Sequence, residues 1–450
     1  MTVKRRISKI AWICTLTVVT FAAFAEDKAP EGPILFTNVD VFDGVNEKLK
    51  KDVNVVVTGN TITQISSEDI AVAGGQVIDG TGHTLMPGLI DSHTHLMFSG
   101  ITFPEVLFQR SGYQAIQGVV IAEQTLMNGV TTVRDMAGDV FDLKRAIDEG
   151  TVLGPRVYPS GAMISQTSGH ADFRLPVEPN PTITGTMTVP GQKGAGLVVD
   201  GVPIMLAATR EQLRLGASQV KLAISGSVSG INDPLDTTQF TLEEIEAAVE
   251  VAQNWGTYVT VHSYSAKAIQ NAIRGGVRNV EHGQMIDEET AKLMKQTNTS
   301  ICLQPFYDDE DAVPFPPGSF QEGKYHDLIS GTDPAFRLAQ KYDLLVGFGT
   351  DTQGMPALTE RQGAQLAKLV RYFKPWEVLK IATSQNYEIF KRSGPRDPYP
   401  GENGVVREGA YADLLLVDGN PLEDIALIAD PHKNFVVIMK DGKIYKNTLN

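Results

Sequence analysis

Two histidines spaced two residues apart are the first feature of the sequence that could do chemistry. His93 and His95 follow the apolar residues 85–90. Side chains two positions apart on a β-strand point to the same side, so both imidazoles can reach one cation. A His-x-His pair alone is a weak motif. Its position at the end of an apolar run makes a metal site the favoured interpretation.

Three more residues of metal-ligand type end similar apolar runs: His262, His282 and Asp351. A histidine of the core or surface is the ordinary alternative for each position taken singly. Four of the eight histidines nevertheless fall at such strand ends. Strand ends of one parallel array meet at one face, where active sites are built. The sequence therefore predicts a metal centre at that face.

Short apolar runs alternating with helical patterns would position these residues. The runs are residues 85–93, 131–135, 156–163, 219–223, 258–262, 279–282, 300–304 and 345–351. Between them lie helix candidates such as residues 241–255, which begin with a capping box of Thr241 and Glu244. The pattern predicts an α/β fold with a (β/α)8 TIM barrel. An open, doubly wound sheet is the alternative that strand counting leaves open.

Both ends of the chain read as short β-segments separated by turn signals. We expect a small composite β-sandwich domain from residues 26–84 and 394–450, and a metal-dependent barrel from residues 85–393. Two connections rich in proline and glycine, residues 165–203 and 305–330, follow the third and seventh runs. Both should lie at the mouth of the barrel.

The first 25 residues have the pattern of a signal peptide. Four basic residues precede an apolar run, and Ala23 and Ala25 form a small-residue cleavage site. A membrane anchor is the alternative, but about 15 apolar residues fall short of the roughly 20 that span a bilayer. We expect cleavage after Ala25, a periplasmic or secreted protein, and no membrane association afterwards.

Composition excludes several classes of partner and site. Loss of residues 1–25 removes four of 39 basic residues and no acidic one, so the charge becomes 35 minus 53, or −18. Nucleic acid is therefore not an expected partner. Cys302 alone remains of two cysteines, which excludes an intramolecular disulfide and a multi-thiolate metal site. We expect a homo-oligomer.

The sequence resembles the amidohydrolase superfamily, in the imidazolonepropionase-like branch that contains Xaa-Pro dipeptidases, basic-residue carboxypeptidases and ochratoxin-degrading hydrolases. The segments that carry the resemblance are Pro-Gly-Leu-Ile-Asp-Ser-His-Thr-His at residues 87–95, Gly-Val-Thr-Thr-Val-Arg-Asp at 129–135, Gln-Val-Lys at 219–221, His-Ser-Tyr at 262–264, Glu-His-Gly at 281–283, Gly-Thr-Asp at 349–351 and Ala-Asp-Leu-Leu at 412–415. They extend over essentially the whole chain after residue 25.

The resemblance implies two divalent cations, with Zn²⁺ the expected metal. Lys221, carboxylated on its amine, would bridge them; a lysine snorkelling from its strand is the ordinary alternative. His93, His95 and Asp351 would hold one cation, and His262 and His282 the other. Two cations lower the pKa of a bridging water to near neutrality and polarise a carbonyl. Asp351 would accept a proton from that water and deliver it to the leaving nitrogen.

The resemblance also narrows the bond that is cleaved. Relatives that deaminate or open an imidazolone carry a glutamate where this chain has Ser265. His170 and Tyr264 match positions that, in dipeptidase-like relatives, resemble a clamp for a substrate carboxylate. The ordinary alternatives are that His170 only orders its loop and that Tyr264 only packs at the mouth of the barrel. We therefore predict hydrolysis of dipeptides or N-acyl amino acids, small substrates with a free carboxylate, to release the C-terminal residue.

Three other functions remain open at this point. A lactonase or phosphotriesterase would share every ligand without needing the clamp. A cyclic-amide hydrolase would use the same centre, and a non-enzymatic binding protein of this fold would show no turnover.

Overall fold

The computed structural model describes residues 32–449; the predicted signal peptide lies outside this range. The strands are β1 (Ile34–Val41), β2 (Lys50–Thr58), β3 (Thr61–Ser66), β4 (Gln76–Asp79), β5 (His83–Pro87), β6 (Leu89–Thr94), β7 (Val130–Asp135), β8 (Arg156–Pro159), β9 (Met163–Ser165), β10 (Gly196–Val198), β11 (Val220–Ala223), β12 (Val259–Ser265), β13 (Asn279–Met285), β14 (Ser300–Leu303), β15 (Val346–Phe348), β16 (Leu414–Asp418), β17 (Phe435–Lys440) and β18 (Lys443–Asn447).

The α-helices are α1 (Phe103–Phe108), α2 (Ser111–Met127), α3 (Phe141–Asp148), α4 (Pro181–Thr184), α5 (Val189–Gln192), α6 (Val202–Leu215), α7 (Leu242–Asn254), α8 (Ala266–Arg274), α9 (Glu288–Gln296), α10 (Phe320–Lys341), α11 (Gln362–Ala367), α12 (Pro375–Lys380), α13 (Asn386–Phe390) and α14 (Pro431–Asn434). Short 3-10 segments cover Pro356–Leu358, Lys368–Arg371, Lys391–Arg396 and Ile425–Ala429, and a π segment covers Ile381–Gln385. Within residues 32–449, no helix combines the length and apolarity needed to cross a bilayer.

Strands from both ends of the chain join one mixed sheet, in the order β18-β17-β16-β5-β1-β2-β3 with β4 on β1. The last part of the chain enters through β16, which pairs antiparallel with β5 on one side and with β17 on the other. Phe36, Val55, Leu414 and Val437 are among its fully buried residues. The two chain ends are therefore tied together by backbone hydrogen bonds.

The central part of the chain alternates parallel strands with helices, which confirms the predicted α/β class. One sheet has the order β6-β7-β8, and a second has the order β10-β9-β11-β12-β13-β14-β15. The amide of Ser218 donates to Pro159 O at 2.8 Å beside β8, and that of Asp351 donates to His93 O at 2.8 Å beside β6. These contacts are consistent with a closed barrel.

Two predicted strands are interrupted. The run 85–93 divides at Gly88, with β5 in the mixed sheet and β6 in the parallel one. A Cβ atom on Gly88 would lie 2.1 Å from Oγ1 of Thr131, so only glycine fits where the chain changes sheets. The run 156–163 likewise divides into β8 and β9 around a bend at Gly161, whose φ is 69°.

The two predicted long connections contain more regular structure than their composition suggested. Residues 165–203 include α4, α5 and β10 and reach into α6, and residues 305–330 include the start of α10 at Phe320. Asn180 and Ser319 cap α4 and α10 through their side chains, which explains why proline- and serine-rich sequence can begin helices here. The helix predicted over residues 241–255 is confirmed as α7, with the capping box of Thr241 and Glu244.

A buried ion pair connects the parallel strands to the mixed sheet. Arg156 on β8 donates from Nε to Asp413 at 2.8 Å and from a terminal nitrogen to Asp441 at 2.6 Å. Its guanidinium also lies 4.1 Å from the centre of the Tyr411 ring. The Asp413 side chain is fully buried, so its charge depends on Arg156 for compensation.

Replacing Asp413 by alanine should therefore lower the free energy of unfolding by about 3–5 kcal/mol, because the Arg156 charge would stay buried without its main partner. Chemical denaturation at neutral pH measures this loss. Glu149→Ala removes an exposed ion pair with Arg145 and serves as the matched control, with little change expected. Equal losses in the two variants would show that the Arg156 pair does not hold the two parts together.

Candidate metal centre

The predicted ligand side chains meet at one edge of the parallel strands. His93 lies in the last part of β6 and His95 directly after it, and Asp351 follows β15. His262 and His282 lie in the middle of β12 and β13 and not at the predicted strand ends, because both strands continue for three residues beyond them. The ring of His282 lies 4.9 Å from that of His93 and 4.5 Å from that of His262, measured between centroids. The structure therefore brings together residues that are up to 258 positions apart.

His93, His95 and Asp351 form the tightest group. One nitrogen from each histidine and one oxygen of the aspartate lie within 4.8 Å of one another. Oδ1 of Asp351 is 3.3 Å from Nε2 of His93 and 3.2 Å from Nε2 of His95. Both histidines are almost completely buried. Three ligand atoms thus converge on one small volume.

The other ring nitrogen of three histidines is engaged by the protein. Nδ1–H donates to Glu281 in His93 (2.9 Å), to the Ala137 carbonyl in His95 (3.2 Å) and to Gln304 in His282 (2.8 Å). Metal-binding histidines characteristically donate the N–H of one ring nitrogen to a carboxylate or carbonyl, which leaves the other nitrogen as a ligand. Nε2 is therefore the nitrogen that each of these rings has available for a cation.

These contacts provide a test of whether a cation fits. Nε2 of His93 and Oδ1 of Asp351 can face each other at 3.3 Å only with a proton or a cation between them. Burial, reinforced by the charge of Lys221, lowers the pKa of His93 to about 3 despite the opposing charge of Asp351. A proton is therefore disfavoured at neutral pH, and the donor set fits a divalent cation.

Lys221 lies on β11, fully buried, next to the same group. Burial lowers the pKa of its amine to about 8, against the opposing charges of Glu281 and Asp351. Among the described residues no carboxylate oxygen lies within ion-pair distance of its Nζ. A buried lysine without an ion pair is costly, so this amine is poised to lose its proton or to be modified.

Two of the predicted ligands have left-handed backbone conformations. The φ angle is 76° at His282 and 51° at Asp351. Such angles are uncommon outside glycine and cost free energy, and they persist where the surrounding structure enforces them. Gly349 permits the approach of this segment to β6, since a Cβ there would lie 2.4 Å from Cβ of His93.

Arg134 and Glu281 stand inside the sequence motifs, and the structure gives both a role that the sequence did not predict. The carboxylate of Glu281 accepts from Arg134 at 2.6 Å and from His93 at 2.9 Å. The Arg134 guanidinium outweighs the effect of burial and holds the pKa of Glu281 well below its usual range. A sequence signal for both residues exists: each is a charged residue within an apolar run that forms a buried strand. A charge in such a position requires a buried partner.

A second group of possible ligand atoms is formed by His93, Glu281 and Cys302. Glu281 is already paired with Arg134. Burial raises the pKa of the Cys302 thiol well above its ordinary value, which disfavours the thiolate that binds metal. This group orients His93 and does not fit a cation.

His170 and Tyr264 stand on either side of His262. The His170 ring stacks on the His262 ring at 4.1 Å, and the Tyr264 ring meets it edge-on at 4.9 Å. Nδ1 of His170 is buried and has no hydrogen-bond partner in the described part of the chain. Burial lowers the pKa of His170 far below its usual value and raises that of Tyr264, so both are neutral donors. His170 therefore faces the site as a neutral imidazole and not as an imidazolium.

A cavity beside these residues opens to solvent and contains about 510 Å³ of empty space, the open solvent at its mouth included. His170, His262, Tyr264 and Asp351 line it, and so do apolar side chains such as Phe103 and Met355. A small molecule in this cavity would contact the proposed ligands and the apolar wall together.

Comparisons with known proteins agree with this architecture. The model of the "Amidohydrolase family" matches residues 84–446. Ochratoxinase from Aspergillus niger is 33% identical over 377 residues, which cover 80% of this chain and 75% of that protein. Imidazolonepropionase from Idiomarina loihiensis is 23% identical, covering 82% of this chain and 86% of that protein.

Solved structures are similar over nearly the whole described chain. A prolidase complexed with N-methylphosphonate-L-proline is 31% identical with a TM-score of 0.84, and covers 92% of this chain and 100% of its own. A Xaa-Pro dipeptidase with methionine bound in its active site is 28% identical with a TM-score of 0.78, over 92% and 100% of the two chains. The chain belongs to the amidohydrolase family and is a hydrolase that acts on amide bonds.

Proposed function

We propose that the protein is a metal-dependent hydrolase that cleaves dipeptides or N-acyl amino acids and releases the C-terminal residue. The observation that carries this proposal is the convergence of His93, His95 and Asp351 at hydrogen-bonding distance, in protonation states that leave room for a cation. The relatives named prolidase, Xaa-Pro dipeptidase and ochratoxinase support the choice of substrate. The family's metal-dependent members make a cation the expected cofactor.

His93, His95 and Asp351 would hold one divalent cation, and His262 and His282 the other, with a carboxylated Lys221 between them. The pKa of Lys221, lowered to about 8 mainly by burial, supports this because carbon dioxide adds only to the neutral amine. Carboxylation would also replace an uncompensated buried cation by an anion that the two metals neutralise. Two bound cations supply a nucleophile at neutral pH and polarise the scissile carbonyl.

Asp351 is placed to move the proton of the reaction. One carboxylate oxygen, Oδ1, faces the two histidines, and the residue also lines the cavity. Burial alone would raise the pKa of Asp351, but His93, His95 and His282 lower it well below its usual range. The ionised carboxylate can accept a proton from the attacking water and deliver it to the leaving nitrogen.

His170 and Tyr264 are placed to bind a substrate carboxylate. Both side chains line the cavity, and the neutral phenol of Tyr264 can donate its O–H. Asp233 lies 3.7 Å from the buried Nδ1 of His170, so a substrate would meet the Nε2 side of this ring. Hydrogen bonds to a charged acceptor are roughly twice as strong as neutral ones, so two such donors could fix one end of a substrate.

We further infer that the parallel strands close into the predicted (β/α)8 barrel and that the mixed sheet forms one layer of the predicted β-sandwich. The hydrogen bond from Asp351 N to His93 O, between the last and first strands of the array, supports closure. The boundaries at residues 84/85 and 393/394, the homo-oligomer and the periplasmic or secreted location stay predictions.

The purified protein should contain two divalent ions per chain. Elemental analysis after reconstitution with Zn²⁺ measures this, and ¹³C NMR with labelled bicarbonate should detect a carbamate on Lys221. His93→Ala should lose metal because it removes a ligand atom, whereas His432→Ala, at an exposed position, should keep it. One ion per chain would indicate a mononuclear enzyme, and none would exclude the centre.

Asp351→Asn keeps the size and one oxygen of the side chain but removes the base. Turnover should fall by about 10²-fold or more, the usual scale for general acid–base catalysis. Metal content must be measured on the same samples, and Asp343→Asn, at an exposed position, is the matched control. Near-normal turnover with full metal content would contradict the proton-transfer role.

Tyr264→Phe and His170→Asn should each lower kcat/KM for substrates with a free carboxylate by about 10- to 100-fold, because each removes one charge-assisted hydrogen bond. Amide-capped versions of the same substrates should be affected far less. Tyr113→Phe, on the exposed face of α2, serves as the control. Equal losses on free and capped substrates would assign both residues to support of the loop.

A further inference from the structure

One wall of the cavity consists of apolar side chains from three separate segments. Val228 comes from the loop after β11, Phe306 and Phe315 come from the loop after β14, and Tyr325 and Leu328 come from α10. The rings of Phe315 and Tyr325 pack edge-to-face with centroids 5.8 Å apart. The wall is thus a packed apolar surface that is stabilised by contact between aromatic rings.

Tyr264 belongs to this apolar cluster as well as to the candidate metal centre. It packs with Val228, Tyr325 and Leu328 on one side and contacts the rings of His262 and His282 on the other. In an amino acid the carboxylate and the side chain leave the same carbon atom. A residue whose carboxylate is held by Tyr264 therefore places its side chain against the apolar wall.

The wall offers no charge to a polar side chain. Of the described residues that line the cavity, the charged or titrating groups other than tyrosine are His170, His262 and Asp351, which belong to the centre itself. The acidic run before Phe315 does not reach the cavity: Asp309 and Asp311 pair with Lys368 at 2.7 and 2.6 Å, and Arg361 also pairs with Asp311. The charges of Asp309, Glu310 and Asp311 are shared between Lys368 and Arg361.

We infer, given the proposed function, that the residue released by the enzyme carries an uncharged apolar side chain, aliphatic or aromatic. Transfer of a lysine, arginine or carboxylate side chain into this wall would strip water from a charge without supplying a partner. Phe315 and Leu328 are the specificity-determining residues, because they meet the side chain without touching the reacting atoms. The same wall excludes a basic C-terminal residue.

The test compares N-acetyl-leucine, N-acetyl-phenylalanine, N-acetyl-arginine and N-acetyl-glutamate as substrates of the zinc-loaded enzyme. The apolar pair should have kcat/KM values at least about 100-fold higher than the charged pair, because an unpaired charge is costly in an apolar pocket. Stabilisation of the protein against heat by each compound gives a second readout that does not require turnover.

Phe315→Asp places a carboxylate in the wall at a half-buried loop position, where folding should be retained. It should shift the ratio of kcat/KM for leucine over arginine substrates by about 100-fold towards arginine. Phe315→Leu keeps the wall apolar and should preserve the preference, and Val177→Asp, exposed and outside the cavity, should leave every rate unchanged.

The outcomes separate the two proposals. Preference of the unaltered enzyme for arginine or glutamate substrates, or an unshifted ratio in well-folded Phe315→Asp, would overturn the inferred specificity while leaving the proposed hydrolase intact. No hydrolysis and no stabilisation by any of the four compounds or by the corresponding alanyl dipeptides, with two metals bound, would overturn the proposed function and this inference with it.

Discussion

The buried ion pair between Arg134 and Glu281 is the interaction on which the geometry of the centre depends. Neither side chain has any solvent exposure, and their atoms approach to 2.6 Å. Arg134 also donates to the Ser92 carbonyl at 2.7 Å, immediately before His93 in the chain. Each hydrogen bond compensates a charge that would otherwise make burial prohibitively costly. The pair therefore fixes the tautomer of His93 and the path of β6 at once.

Backbone conformation supplies the second part of this preorganisation. His282, within β13, and Asp351, after β15, both have left-handed backbone conformations. Asp91 holds the adjacent segment by accepting from Thr350 Oγ1 at 2.7 Å and from the His93 amide at 3.0 Å. The local cost of these angles is offset by buried hydrogen bonds around them. The positions of the predicted ligand side chains are thereby set by the protein itself.

Local periodicity in the sequence predicts some residues of the site. It does not predict those whose roles depend on partners distant in the chain. His93 and His95 followed from the two-residue period of a strand. His282 was predicted at a strand end, whereas the structure places it in the middle of β13. The role of Glu281 depends on Arg134, 147 positions away, and no local pattern identifies that partner. The division of the first run at Gly88 depends on contact with Thr131 and Asp413. Such features require the folded topology.

The buried positive charge near the mouth of the site stabilises a loop and is not available to bind substrate. Lys324 on α10 is buried, and its ammonium donates to the carbonyls of Ser227 at 2.5 Å and Gly230 at 2.6 Å. This cation is committed to the loop that carries Val228 into the cavity wall. Among the described residues lining the cavity there is consequently no lysine or arginine to receive a substrate carboxylate. Under the proposed function, neutral donors such as His170 would position that carboxylate and the proposed cations would compensate its charge, which would couple substrate affinity to metal binding.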